Sequence, residues 1–291
     1  MSSTKHHSLL PVISLLFSAT LWGLFWYPLR ELEKAGLSGL WSTLLIYLGT
    51  LPILMSFLWQ RRTELTRAPF LLMGLALASG WCNTAFILAI LDGNVVRVLL
   101  LFYLSPLWAT LIGWLFLREH IHRSTLMVLL LALFGAGIML WRPETGLPIP
   151  HNTSDWLALS SGFAFAVSNA FVRRIHNVAV NTKTAISWSG AIILAGIFII
   201  VTSAPLGHPS ILAVGSAFAI GALGMTSMTL AVVYGVSNMP LHRSAVILLF
   251  EIVAGAISSL LLTNEVITFH EWLGGSLVIL AAFVSGRKQV T

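Results

Sequence analysis

Charged side chains are scarce in this chain. Asp and Glu number 10 and Lys and Arg 16, a charged fraction of 9%, whereas a surface facing water carries about 25%. Together with 57% hydrophobic residues and a mean hydropathy of +0.90, that shortage excludes an ordinary soluble domain. Cysteine is nearly absent: Cys82 stands alone, which rules out an intrachain disulfide, and its place inside an apolar run fits a small core residue. No Gly-rich loop followed by Lys occurs, which argues against ATP-driven pumping. The histidine pairs His6–His7 and His120/His122 do not supply the three or four converging ligands of a metal site. Ser105 has no histidine or lysine at comparable depth in an apolar run, so an intramembrane hydrolase lacks its base. No cofactor is expected.

What the chain has instead is long apolar runs. A helix needs about 20 apolar residues to cross the hydrocarbon layer, and stretches at 9–28, 40–59, 70–91, 95–117, 125–141, 156–173, 185–203, 211–235, 244–263 and 270–286 qualify as candidates. The first, with Trp22, Trp26 and Tyr27 and no small-residue cleavage site, reads as a retained span rather than a signal peptide. The fold class expected is an all-α integral membrane protein of ten transmembrane helices.

The basic residues give this protein an orientation. Alternating the connections between two sides puts Lys5, Arg61, Arg62, Arg67, Arg118, Arg123, Arg173, Arg174, Lys183, Arg243, Arg287 and Lys288 on one side. Arg30, Lys34, Arg97 and Arg142 remain on the other. Basic charge in short loops stays cytoplasmic, so both termini are expected in the cytoplasm, with the chain in the inner membrane. The net charge of +6 then reads as topological signal and lipid headgroup contact rather than as a nucleic-acid surface. The partners expected are a small-molecule substrate and the bilayer, with a homodimer left open.

The two halves resemble each other. A shift of 146 residues lays Arg97 on Arg243, Glu119 on Glu265, Ile121 on Ile267, Leu131 on Leu277 and Ala136 on Ala282. A first repeat at 9–141 and a second at 156–286 are thus separated by a loop at 142–155 holding Pro143, Gly146, Pro148 and Pro150. With five spans in each half, the second copy must insert upside down. Inverted repeats are the architecture of secondary transporters, whose halves enclose a midplane site.

Three motifs carry a family resemblance that covers nearly the whole chain. The first span reads Ala19-Thr20-Leu21-Trp22-Gly23, the fourth Tyr103-Leu104-Ser105-Pro106-Leu107-Trp108 with Glu119 beyond, and the ninth Leu249-Phe250-Glu251-Ile252-Val253 leading to Glu265. The chain is similar in these motifs to the EamA-type ten-span branch of the drug/metabolite transporter superfamily. It departs from many relatives in having Glu251-Ile252 where they have Glu-Pro. The resemblance implies a proton-linked or facilitated exporter of metabolites, amino acids or drugs. It also implies a cavity lined by spans one, three, four, six, eight and nine, with spans five and ten peripheral.

Glu251 is the leading candidate residue. It sits near the middle of an apolar span, where a carboxylate is costly unless protonated, paired or facing water. Proton coupling is one reading and a structural carboxylic acid the other. Of the 11 tryptophans, Trp41, Trp59, Trp141, Trp156 and Trp272 lie near span ends as interface anchors. Trp22, Trp26, Trp81 and Trp108 lie deeper, where they either stack on substrate or pack between helices. Asn83, Tyr103, Ser168, Asn169, Thr226, Ser227 and Tyr234 offer hydrogen bonds either to substrate or between helices. Arg97 and Arg243 are equivalent span ends, read as gate residues or as snorkelling cations. Pro106 is a hinge or a static kink.

These readings converge on a carrier that exports a small amphipathic or aromatic metabolite, such as an amino acid, or a drug, by alternating access. Uptake of a vitamin or nucleotide-like compound is the alternative within transport. An intramembrane enzyme is the rival from another class.

Overall fold

The computed structural model describes residues 9–92, 95–140, 150–262 and 269–287, with side chains excluded at 90–92, 95–97, 100, 139, 140, 259, 271 and 285–287. Trp141, Arg142, Glu265, most of the 142–155 loop and the side chain of Arg97 lie outside the described residues.

Helix follows all ten apolar stretches. The first half contains α1 (Leu10–Leu24) and α2 (Trp26–Lys34), α3 (Gly39–Gly49) and α4 (Leu51–Gln60), α5 (Pro69–Asp92), α6 (Val95–Phe102) and α7 (Ser105–Leu117), and α8 (Arg123–Leu140). The second contains α9 (Thr153–Arg174), α10 (Val180–Thr202), α11 (Ile211–Ala219) running through a π-helical turn (Ile220–Met225) into α12 (Thr226–Asn238), α13 (Leu241–Leu248) and α14 (Phe250–Leu262), and α15 (Phe269–Arg287). Among the described residues there is no strand, only an isolated bridge between Leu37 and Gly207.

Among the described residues, five segments suffice by length and apolarity to cross a membrane: Leu10–Lys34, Pro69–Ala89, Val180–Thr202, Ile211–Asn238 and Leu241–Leu262. The pair α3 and α4, bent by 45°, makes a sixth, while Ser105–Leu117, Arg123–Ile138 and Trp272–Val284 are apolar but shorter. Helix α9 is the polar one, carrying Ser160, Ser161, Ser168 and Asn169, and α5, α6, α7 and α12 pack around it. Outward-facing residues are largely apolar, including Ile13, Phe17, Met73, Phe116, Phe134, Ile200 and Phe283. An apolar exterior of that extent marks a surface made for lipid or partners rather than water.

Where the first-half stretches break, a proline follows within one turn. Phe25, Thr50 and the Tyr103–Leu104 pair interrupt the helices, and Pro28, Pro52 and Pro106 cannot donate to the carbonyls of Leu24, Leu48 and Phe102. The second half breaks without proline. Its stretch from 241 stops at Leu249, whose carbonyl accepts from Ile252 at 3.1 Å, so the missing Glu-Pro does not abolish the break.

The internal repeat is visible in both lengths and contacts. Helices α6 and α13 each have eight residues, α7 and α14 thirteen, and the bounds Val95–Phe102 lie 146 residues before Leu241–Leu248. Packing of α5 on α9 has its counterpart in α12 on α1, α5 on α10 in the π turn on α3, and α6–α7 on α9 in α13–α14 on α1. Equivalent stretches also meet each other, as α3–α10, α7–α13 and α8–α15. That is the contact pattern of two halves related by a pseudo-two-fold axis. Two glycines allow the closest approaches, Gly190 against the Ala76 carbonyl and Gly221 against the Ile46 carbonyl; any side chain there would force the helices apart.

Candidate functional site

The halves enclose a cavity of about 150 Å³. Its wall comes from α1, α3, α5, α6, α9, α10, α12, α13 and α14, and no described residue of α8 or α15 reaches it. Aromatic groups supply much of the lining: Trp22, Tyr47, Phe86, Phe102, Phe165 and Trp188. Polar groups are interspersed as Ser79, Cys82, Asn83, Ser168, Asn169, Ser187, Thr229 and Glu251.

Glu251 stands in the first turn of α14, immediately after the break. Unsatisfied N–H groups at a helix start favour a negative charge there, so the break makes this depth tolerable for a carboxyl. The Tyr103 hydroxyl, at the equivalent break between α6 and α7, is its hydrogen-bonding partner. Ser105, 146 residues before Glu251, occupies the first turn of α7. The two breaks thus bring a tyrosine from one half to a carboxyl from the other.

The other polar lining groups differ in how they are satisfied. Asn83 Oδ1 accepts from the Tyr47 hydroxyl at 2.9 Å, and its Nδ2 donates to the Ser79 carbonyl at 2.8 Å. Ser168 and Ser187 donate to the carbonyls of Phe165 and Lys183. By contrast, the Ser79 hydroxyl, the Asn169 amide and the Thr229 hydroxyl have no hydrogen-bond partner among the described residues.

A cluster of charged groups links the two halves beyond the cavity residues Val172 and Leu248. The Glu119 carboxylate accepts from the Leu241 N–H at 3.0 Å, lies 3.2 Å from His242 Nδ1 and 3.6 Å from Arg173 Nε. Arg173 donates to the Ser237 carbonyl at 3.0 Å, and Lys183 Nζ reaches the Ser237 hydroxyl at 2.6 Å and the Val172 carbonyl at 3.0 Å. Beside them, Glu64 accepts from the Ala179 N–H at 2.9 Å and the Thr182 hydroxyl at 2.7 Å. Burial pushes Glu119 up, but the bonds from His242 and Leu241 and the charges of His242 and Arg173 outweigh it and hold the carboxyl below its ordinary range. For Glu64, burial is likewise outweighed, by bonds from Ala179, Thr182 and Arg61. On the opposite side, among the described residues, the contacts between the halves are neutral: Trp41 Nε1 donates to the Ala204 carbonyl at 3.0 Å and the Ser38 hydroxyl to the Pro205 carbonyl at 2.8 Å.

Of the residues singled out in the sequence, Trp22, Asn83, Ser168, Asn169 and Glu251 line the cavity together. Tyr103 is buried behind Glu251. Trp26 donates to the Ser258 hydroxyl at 2.9 Å, and Trp81 to that of Ser160 at 3.2 Å. Trp108 meets Phe163 edge-on at 5.5 Å, its N–H buried without a partner among the described residues. Ser227 is exposed and bonds back to the Leu223 carbonyl at 2.6 Å, while Thr226 bonds the Gly221 carbonyl. Tyr234 is half-buried outside the lining set. Arg243 lies half-buried in the first turn of α13, and Pro106 is buried as the second residue of α7.

Sequence reasoning missed Tyr47, Ser187 and Trp188, which bring the second and seventh stretches into the wall. Trp188, deep in an apolar run between Ser187 and Ser189, was the available signal. The Glu119–His242 contact had none, since 122 residues separate Glu119 from Leu241.

A family model described as the EamA-like transporter family matches residues 9–141 and again 152–287. One solved crystal structure superposes with a TM-score of 0.73 over 94% of this chain and 95% of its own, at 16% identity, a likeness of fold. No curated protein matches the sequence.

Proposed function

The chain belongs to the EamA-like transporter family, which makes it a multi-pass membrane transporter of the drug/metabolite type, and we propose that it is a ten-span inner-membrane carrier exporting a small amphipathic or aromatic compound. Its two five-helix repeats are inverted, both termini are cytoplasmic, and the Glu119 end of the cavity faces the cytoplasm. The observation that carries this reading is the cavity between the halves, where Glu251 emerges at a helix break equivalent to that of α6 and α7. The helix count is supported by helix in every apolar stretch, and the orientation by the basic residues.

Transport proceeds by alternating access. The substrate binds among the aromatic groups, and the carrier exposes it to one side at a time. Opening the cytoplasmic end requires the Glu119 bonds to Leu241 and His242 to break. Glu251, the carboxyl of the cavity wall, carries the coupling proton when no substrate is bound. Trp22, Asn83, Ser168 and Asn169 contact the substrate, and Arg97 and Arg243 attend the ends of the fourth and ninth spans.

Counterflow in reconstituted vesicles tests the reading, with a panel of labelled amino acids, amines, vitamins and drugs. A carrier exchanges intact substrate without an imposed gradient, whereas an enzyme leaves a changed product. With a substrate in hand, Glu251→Gln is expected to lose accumulation driven by a pH gradient while still exchanging substrate at saturating concentration. Gradient-driven accumulation by that variant at the parent rate would remove Glu251 from coupling.

A further inference from the structure

The charge of the cavity wall narrows what the carrier takes, an inference that rests on the carrier reading above. Glu251 is the one charged side chain among the described residues that line the cavity, and none of them is Lys, Arg or His. In a poorly solvated wall a single carboxylate attracts a cation and repels an anion far more strongly than in water. The aromatic faces of Trp22, Phe102 and Phe165 add attraction for an ammonium group and surface for an apolar body.

The unpartnered polar groups supply the second half of the argument. Ser79 and Asn169 are only 8% and 6% exposed, both line the cavity, and neither side chain is hydrogen-bonded to any described residue. Buried polar groups are ordinarily satisfied. Asn83 shows how this wall satisfies an amide it does not use: Tyr47 and the Ser79 carbonyl occupy it on both sides. Asn169 is left with donor and acceptor both open among the described residues, on α9, which packs against the α5 helix that carries Ser79.

We infer that the site binds an amphipathic organic amine in its protonated form, with the ammonium at Glu251, the apolar body among the rings, and a neutral hydroxyl or amide of the ligand at Asn169 and Ser79. Carboxylates and phosphates are excluded, because no Lys, Arg or His stands among the described residues of the wall. A free amino acid is a poor ligand for the same reason. Its carboxylate would be desolvated beside Glu251, whereas the corresponding amide keeps the ammonium, removes the anion and fits Asn169.

The test is a calorimetric titration of the full chain in lipid nanodiscs with a matched series: 2-phenylethylamine, phenylalaninamide, phenylalanine, 3-phenylpropionate and 2-phenylethanol. Phenylalaninamide is expected to bind best, phenylalanine about tenfold or more weaker, and phenylpropionate not at all. Glu251→Gln should weaken both amines about tenfold while leaving 2-phenylethanol and the melting temperature unchanged, and Glu251→Asp should restore the preference. Asn169→Ala should weaken phenylalaninamide about threefold and spare phenylethylamine. Equal binding of phenylalanine and its amide, any preference for phenylpropionate, or amine affinity indifferent to Glu251→Gln would overturn the inference. Binding is read without transport, so the two readings fail separately. Selective amine binding without counterflow upholds the site chemistry and removes the carrier. Counterflow of an anion with no amine binding does the reverse.

Discussion

The carboxylate of Glu119 lies 3.2 Å from Nδ1 of His242 and takes the N–H of Leu241 at 3.0 Å, joining the end of the fourth stretch to the start of the ninth. This contact fastens α7 to α13, because Leu241 and His242 open α13 and Glu119 directly follows Arg118, the left-handed residue that ends α7; in the carrier reading it holds the cytoplasmic end closed. The native Cys82 lines the cavity and is the sole thiol, so it reports access. Glu119→Gln removes charge from the hydrogen bonds and from the Arg173 pairing, a loss of about 1–2 kcal/mol. The expected outcome is a roughly tenfold faster labelling of Cys82 by an impermeant thiol reagent applied from the Glu119 side. An unchanged rate from that side would mean that the contact does not hold the end closed.

The same contact has a defined pH response. Glu119 is held below its ordinary value of 4.5 once its bonds outweigh burial, so its contribution is fully present above that value. It is lost as pH falls through the depressed folded value. Glu64 follows the same sign. Thermal unfolding measured from pH 7 downward should therefore show the contribution of these two carboxylates intact to about pH 5 and declining below it. Glu64→Gln together with Glu119→Gln should flatten the acid limb of that curve. An acid limb as steep in the double variant as in the parent would assign it to other groups.

The helix content and its ten stretches were legible because apolar runs of membrane length leave the backbone no other way to satisfy itself. The repeat was legible too, since the helices α6 and α13 begin at Val95 and Leu241, the same 146-residue offset that pairs Arg97 with Arg243. The wall of the cavity was legible only in part. Glu251 betrayed itself as a carboxyl in an apolar run, and Asn83, Ser168 and Asn169 as amides and hydroxyls at depth. Ser227 is equally polar and equally deep, yet it satisfies its hydroxyl on the Leu223 carbonyl of its own helix and faces outward. A hydroxyl can always do this in a helix, so depth alone does not say which way it points. Trp26 and Trp81 were drawn off by serine partners on neighbouring helices. The charged closure at Glu119 depends on residues that only the fold brings together.

Trp188 separates packing from polarity. It is fully buried, stacks on Phe57 at 6.2 Å and 17°, and its N–H has no partner among the described residues. Trp188→Ala removes the ring and leaves a void, at a cost of about 3–5 kcal/mol. Trp188→Phe keeps an aromatic face for Phe57 and deletes an N–H that bonds nothing, so its cost is limited to the smaller ring, about 1–2 kcal/mol. Denaturation of the two variants in the same detergent checks the order. A phenylalanine variant as unstable as the alanine one would show that the indole N–H is satisfied.

Pro106 and Ile252 occupy equivalent positions, 146 residues apart, just beyond the two helix breaks. The first break has a proline to explain it, since Pro106 cannot donate to the Phe102 carbonyl. The second persists at Leu249 with Ile252 in the same place, although isoleucine has the N–H that proline lacks. Packing therefore maintains the second break: Val246, Leu249, Ile252 and Val253 are buried in one cluster with Tyr103. The same cluster also encloses the first break, through Tyr103. Pro106→Ala is accordingly expected to leave the α6–α7 break and ligand binding in place. Its cost is confined to the greater freedom of the unfolded chain, about 0.4–1 kcal/mol. Titration with phenylalaninamide and a melting curve measure both quantities. Loss of binding in a folded Pro106→Ala protein would mean that the proline, and not the packing around Tyr103, creates the first break, and that the two halves reach the same geometry by different means.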